Sequence, residues 1–171
     1  MTWKPATSQL QIAIETDGPL KALGHDRVFQ VPVDVSIAGE RTDAQVEAQG
    51  DLLQTDVEGE VADRDRKDML KRMHGDVLQT KRFPHVTYAG RLAEAGSRLT
   101  GKLTLRGVTQ PCDLPLTLTW DEDRFEAAGE RTLDLADFGM RPYKALLGAL
   151  RVKTTVTVSY RVDGVHSTGE G

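Results

Sequence analysis

The chain has 171 residues, of which 39% are hydrophobic, a mean hydropathy of −0.40 and a single cysteine, Cys112. That composition suits one domain able to bury its own core, and it excludes an internal disulfide. A formal charge of −4, with no basic run interleaved with aromatics, argues against nucleic acid as a partner, and no apolar run approaches the roughly 20 residues of a membrane helix.

Taken in chain order, the dominant signal is alternation. Leu10, Ile12 and Ile14 open it. Phe29, Val31, Val33, Val35 and Ile37 form a longer row, with Gln30, Pro32, Asp34 and Ser36 between them. Pro32 cannot donate to a ladder, so an edge or a bulge is expected there. Ala44, Val46 and Ala48 make a weaker row. From Asp63 to Gln79 the period changes to a helical one carried by Met69, Leu70, Met73, Val77 and Leu78, with Asp63 as N-cap and Gly75 as a stop or bend. Alternation then resumes at Val86 and Tyr88, at Leu99, Gly101, Leu103 and Leu105, and at Leu114, Leu116, Leu118 and Trp120. Leu133 and Leu135 make a short row. Ala145 to Leu150, after Pro142, reads as a turn of helix or a loop. Val152, Val156, Val158, Tyr160 and Val162 form the last row, with Thr154 in register.

Turn signals separate these rows at Asp17-Gly18-Pro19, Ala38-Gly39, Ala95-Gly96 and Asp121-Glu122-Asp123. The pattern predicts a mainly β single domain over residues 1–162, an antiparallel barrel of about eight strands with one amphipathic helix, and a flexible polar tail over 163–171. A barrel of that size is either filled by its own side chains or holds one small ligand, and the alternation fits both.

Charge is unevenly spread. Residues 1–62 hold four bases and eleven acids, residues 63–82 seven bases and four acids, and residues 138–162 five bases and no acid. The two basic stretches either meet around an anionic group or are solvated faces of a helix and a strand. Catalytic chemistry is hard to find. His25, His74, His85 and His166 show no metal-ligand spacing. His25-Asp26 reads as a structural turn pair, since neighbours on a strand face opposite sides. Asp137-Phe138-Gly139 spells a kinase triplet without the other kinase motifs, Asp121 and Asp123 fit a charged hairpin tip, and Cys112 fits packing better than nucleophilic chemistry. No cofactor, metal or catalysis is expected.

The segment Arg98 to Leu118, RLTGKLTLRGVTQPCDLPLTL, resembles the signature of the YceI-like family from Gly101 through Leu103, Thr104, Leu105, Gly107, Val108, Thr109 and Pro111 to Leu114. Met69 to Tyr88, Asp137-Phe138-Gly139-Met140 and the last strand from Leu150 to Tyr160 are similar to further family pieces in the same order, with weaker support from Gly24-His25-Asp26. The resemblance implies a lipocalin-like barrel with a helix beside it, and an elongated apolar cavity that holds a polyisoprenoid or similar lipid in some members. The opening LGHDRVFQV and the later FGMRPYKALLGAL look like a branch that stays in the cytoplasm. Met1 to Gln11 carry no apolar leader pattern, so a cytoplasmic place is expected, or a periplasmic one if a leader has been removed.

On this reading Phe29, Val31, Val33, Leu103, Leu105, Leu114, Leu116, Leu118, Val156 and Val158 line the cavity, with Leu133 and Leu135 as a minor wall. Phe138, Met140, Tyr143, Leu146 and Leu147 form its lid or mouth, and Arg141, Lys144 or Lys153 attracts an anionic head group. The expected partner is an isoprenoid or fatty-chain small molecule, and a homodimer is an allowed assembly. The alternative is a packed, ligand-free barrel serving as an interaction protein, marked by an exposed apolar patch. An enzyme is the third reading, and it requires polar residues converging near His25, Asp26 or His85.

Overall fold

The computed structural model describes residues 2–17, 27–59, 62–141, 143–145 and 150–167. The strands in chain order are β1 (Thr2–Ile14), β2 (Thr16–Asp17), β3 (Arg27–Gln30), β4 (Val33–Glu40), β5 (Asp43–Asp51), β6 (Asp56–Val57), β7 (His85–Ala93), β8 (Arg98–Leu105), β9 (Val108–Pro111), β10 (Leu114–Pro115), β11 (Thr117–Asp121), β12 (Arg124–Asp134), β13 (Tyr143–Ala145), β14 (Leu150–Val152) and β15 (Thr155–Ser167). Helix α1 (Asp63–Arg72) lies between β6 and β7 and runs on into a π-helical turn, Met73–Val77. Every strand pair is antiparallel. Among the described residues no helix is long and apolar enough to cross a membrane.

Two large sheets make the body. One has the order β11-β12-β15-β1-β3-β6 and the other β10-β8-β7-β5-β4, with β9 also on β8; β13-β14-β2 form a small third sheet. Two bending segments pass from sheet to sheet. At Val31-Pro32 the chain leaves β3 for β4. There Val31 N donates to the Leu10 carbonyl (2.9 Å) and Asp51 N donates to the Pro32 carbonyl (2.8 Å). Pro32, with no N–H to place, sits at the bend. At Leu116 the chain leaves β10 for β11, and Leu116 N donates to the Ser97 carbonyl (2.9 Å). With β3–β4 and β10–β11 each taken as one bent strand, the walls are eight: β1, β3–β4, β5, β7, β8, β10–β11, β12 and β15.

The interior divides into two apolar clusters. One gathers Trp3, Ala44, Tyr88, Leu92, Leu99, Cys112 and Phe125. The other gathers Val31, Leu52, Leu105, Phe138 and Met140. Alternation puts them inside: β5 buries Ala44 and Gly50 while Asp43, Gln45, Glu47 and Gln49 stay exposed.

Several expectations are corrected. β1 begins at Thr2, because a register shift between Pro5 and Thr7 hides its period. The N-cap of α1 is Ala62, without a side-chain cap, and Asp63 is the first helical residue, where its charge suits the helix dipole. Gly39, at φ +102°, still belongs to β4, and the hairpin turns at residues 41–42. Leu135 is not on a strand: β12 ends at Asp134, whose carboxylate accepts from Ala136 N (2.9 Å) and caps a 3₁₀ turn, Leu135–Phe138. Ala145 pairs with Leu150 between β13 and β14 rather than starting a helical turn. The expected tail over 163–171 is ordered as strand to Ser167, because β1 pairs with it as far as Thr2↔Ser167. His25, Asp26, Leu146 and Leu147 lie outside the described residues.

Candidate functional site

The inward rows of the two sheets enclose an apolar cavity of about 160 Å³. β4 and β5 contribute Val33, Val35, Ile37, Ala44, Val46 and Ala48. β7 and β8 add Val86, Tyr88, Leu92, Leu99 and Leu103, and β10–β11 with the bend between them adds Leu114, Leu116 and Leu118. Phe125, Ala127 and Leu133 of β12 and Val158, Tyr160 and Val162 of β15 complete the far wall. The lining on β1 runs from Trp3 to Leu10, which at about 3.3 Å per residue makes the cavity roughly 20 Å long. The volume resembles a roughly 150 Å³ apolar cavity that stays dry and takes up benzene.

Of the sequence-expected wall, Val33, Leu103, Leu116, Leu118 and Val158 line the cavity, as do Leu114 and Leu133. Phe29, Val31, Leu105 and Val156 are buried but lie outside that lining. Phe138 and Met140, expected at a lid, are each 4% exposed and packed with Val31, Leu52 and Leu105. They form a plug beyond one end of the cavity, because Gly139 at φ +78° folds the chain back over the 3₁₀ turn. Tyr143 is placed by its backbone on β13. Arg141 is exposed, and Lys153 is paired with Glu15 at 3.1 Å.

Trp3, Ala44, Tyr88, Phe125 and Cys112 are wall residues that the alternating rows left out of the expected site. The signal for Trp3 and Phe125 was their position opposite a strand's inward row. Trp3 closes the second end with Phe125, Trp120 and His166: its ring lies 5.1 Å from Phe125, 5.6 Å from Trp120 and 4.4 Å from His166, and its Nε1 donates to the Gly39 carbonyl (2.8 Å).

The two phenols of this interior are hydrogen-bonded. Tyr88 Oη donates to the Cys112 carbonyl (2.9 Å) and Tyr160 Oη to the Pro115 carbonyl. Desolvation pushes the Tyr160 phenol up to about 12 and raises Tyr88 further, so both stay neutral across physiological pH. Burial likewise raises the Cys112 thiol, with Asp113 adding to the shift and Arg131 opposing it. Cys112 is therefore expected to react with a thiol-specific disulfide reagent at pH 8 at least tenfold more slowly in the native protein than in guanidinium, where the thiolate is free. Equal rates would contradict its burial. Among the described residues no group of three or more His, Cys, Asp or Glu is placed to hold a metal.

His166 is 1% exposed and its Nδ1 accepts from Arg41 Nε (3.1 Å), while the Arg41 guanidinium lies 4.0 Å over the Trp120 ring. Burial first, and the Arg41 charge second, hold the imidazole pKa below its ordinary value, against a smaller opposing effect of Glu40. The unfolded chain therefore binds the proton more readily, so this contribution to stability is complete above about pH 6.5 and is lost as pH falls below it. His166→Asn is expected to flatten the fall in stability between pH 7 and pH 5 in urea unfolding. An unchanged slope would contradict the assignment.

Among the described residues every neighbouring pair of walls is laced by backbone hydrogen bonds, but the ladder between β10–β11 and β12 covers only part of their length. β11 pairs with β12 only as far as Thr117↔Ala128. Beyond that, β12, β15 and the 3₁₀ turn meet residues 106–115 through side chains that reach carbonyl oxygens. Arg131 Nη1 donates to Asp113, Gln110 Nε2 to Asp137 (3.0 Å), Arg106 Nη1 to Gly139 (3.4 Å) and Tyr160 Oη to Pro115. This seam runs beside the cavity.

Comparison with known proteins places this architecture. A family model described as the YceI-like domain matches residues 2–163. The fold is shared with BcnA of Burkholderia cenocepacia, at a TM-score of 0.70 and 14% identity over 92% of this chain and 96% of that one. A polyisoprenoid-binding domain from Saccharophagus degradans superposes at a TM-score of 0.64 with 16% identity, covering 96% of this chain and 98% of that one. A YceI protein of Campylobacter jejuni gives a TM-score of 0.58 and 13% identity over 80% and 82%. No curated protein matches the sequence.

Proposed function

The chain belongs to the YceI-like domain family, and on that premise we propose that its barrel binds one long apolar chain, isoprenoid or fatty, without catalysing a reaction. The carrying observation is the cavity itself, about 160 Å³ of space lined almost wholly by apolar atoms. Such space stays dry, so a chain entering it displaces no ordered water, and each CH₂ it buries contributes about 0.8 kcal/mol. The Saccharophagus degradans domain of the same fold, described as polyisoprenoid-binding, supports the same class of ligand.

Small side chains keep the space open. Ala44, Ala48 and Ala127 take wall positions where a Leu or Phe would fill the interior. A flexible chain can thread between these small side chains, whereas a rigid fused ring system needs more room than about 160 Å³. Because Trp3 lines the cavity, titration with farnesol or hexadecanol is expected to shift tryptophan emission in a saturable, one-to-one manner, and cholesterol is expected to leave it unchanged. No response to either chain alcohol would overturn the reading in favour of a packed barrel.

A further inference from the structure

The row on β12 that faces the interior runs Phe125, Ala127, Gly129, Arg131 and Leu133, since these stand opposite Gly164, Val162, Tyr160, Val158 and Val156 of β15. Phe125, Ala127, Leu133 and Val158 all line the cavity. Arg131 is the cation in that row; it lies outside the cavity lining itself, paired with the lining residue Val158 of β15. It is half-buried, and its charge acts on Tyr88, Cys112 and Tyr160, three residues of the cavity wall.

Among the described residues no carboxylate pairs with Arg131. Its Nη1 donates to the Asp113 carbonyl, and its Nε is buried with no partner. The Asp113 carboxylate turns instead toward Arg98, at 3.7 Å. A buried guanidinium N–H left unpaired is unfavourable, and the edge formed by Nε and the adjacent terminal nitrogen has the shape that matches the two oxygens of one carboxylate. Its position on the seam, where walls are joined by side chains alone, lets a chain enter tail first and leave its head at the arginine.

We propose that Arg131 is a head-group site, whose guanidinium receives the single carboxylate of a long-chain acid with its tail in the cavity. This rests on the chain-binding reading and narrows its ligand class from any apolar chain to an acid. A single guanidinium edge suits one carboxylate, whereas a diphosphate calls for several cations.

The test compares palmitate with hexadecanol, which share a chain and differ in the head. The wild type is expected to bind palmitate about tenfold or more tightly than hexadecanol. Arg131→Gln is expected to remove that preference by weakening palmitate far more than hexadecanol, and Arg131→Lys to restore part of it. A second measurement uses the wild type alone: the carboxyl resonance of ¹³C-labelled palmitate is expected to titrate at lower pH bound than free, whereas burial without the cation would raise it. Equal wild-type affinities, a preference that survives in a folded Arg131→Gln protein, or a raised carboxyl pKa would each overturn the head-group site while leaving chain binding intact. Failure of hexadecanol itself to bind the wild type would overturn the cavity reading and this site with it.

Discussion

Ala48→Phe is expected to weaken hexadecanol binding by about a hundredfold or more while the barrel remains folded. Ala48 lies on the inward row of β5, paired with Val35 on one side and Tyr88 on the other, and all three line the cavity. A phenyl ring is close in size to the benzene that a cavity of roughly 150 Å³ accepts, so the ring would occupy the space intended for ligand. Filling empty apolar space adds packing contacts, so thermal stability is expected to hold or rise. Tryptophan-emission titration gives the affinity and circular dichroism the melting temperature. Unchanged affinity would place the ligand elsewhere.

Gly101→Ala is expected to act in the opposite sense, on the wall rather than on the space. Gly101 of β8 pairs with Gly90 of β7, and a Cβ on Gly101 would lie 2.2 Å from the Ala89 carbonyl oxygen and 2.6 Å from the Gly90 Cα. Those atoms are backbone, so no rotamer change relieves the clash. The pair lets two strands approach where the wall bends around Tyr88, whose ring fills the place of a Gly90 side chain. The cost is expected to be about 3 kcal/mol, which lowers Tm by about 6–12 °C in a chain of this size. A melting temperature within a degree of the wild type would contradict the close approach.

The strand rows were legible because one face is wet and the other dry, which stamps a period of two on Phe29 to Ile37 and on Val152 to Val162. The family motif between Arg98 and Leu118 located β8 to β11 as well. The row on β12 was not legible beyond Leu133. Its inward residues Ala127, Gly129 and Arg131 carry little hydrophobic signal, since Gly129 makes room for the Tyr160 ring and Arg131 answers to the Asp113 carbonyl. The first half of β1 escaped for a similar reason, its register shift breaking the alternation that Trp3 begins.

The candidate site was legible as burial but not as position. Periodicity says that Phe29, Val31, Leu105 and Val156 point inward, and all are buried. It cannot say against what. Val31, Leu105 and Phe138 pack on Leu52 and Met140 to stopper the barrel, whereas Val33 and Leu103, two residues along their strands, border open space. That division depends on which strands bend toward one another, and is set by Pro32, Gly139 and the glycine pair rather than by hydrophobicity.

The most direct test of chain binding is a crystal structure of the protein grown with hexadecanol. The account predicts continuous density for one chain running between Trp3 and Leu10 inside the barrel, bordered by Ala48 and Val158. An interior closed by repacked side chains, with hexadecanol absent or bound on the outer surface, would contradict it.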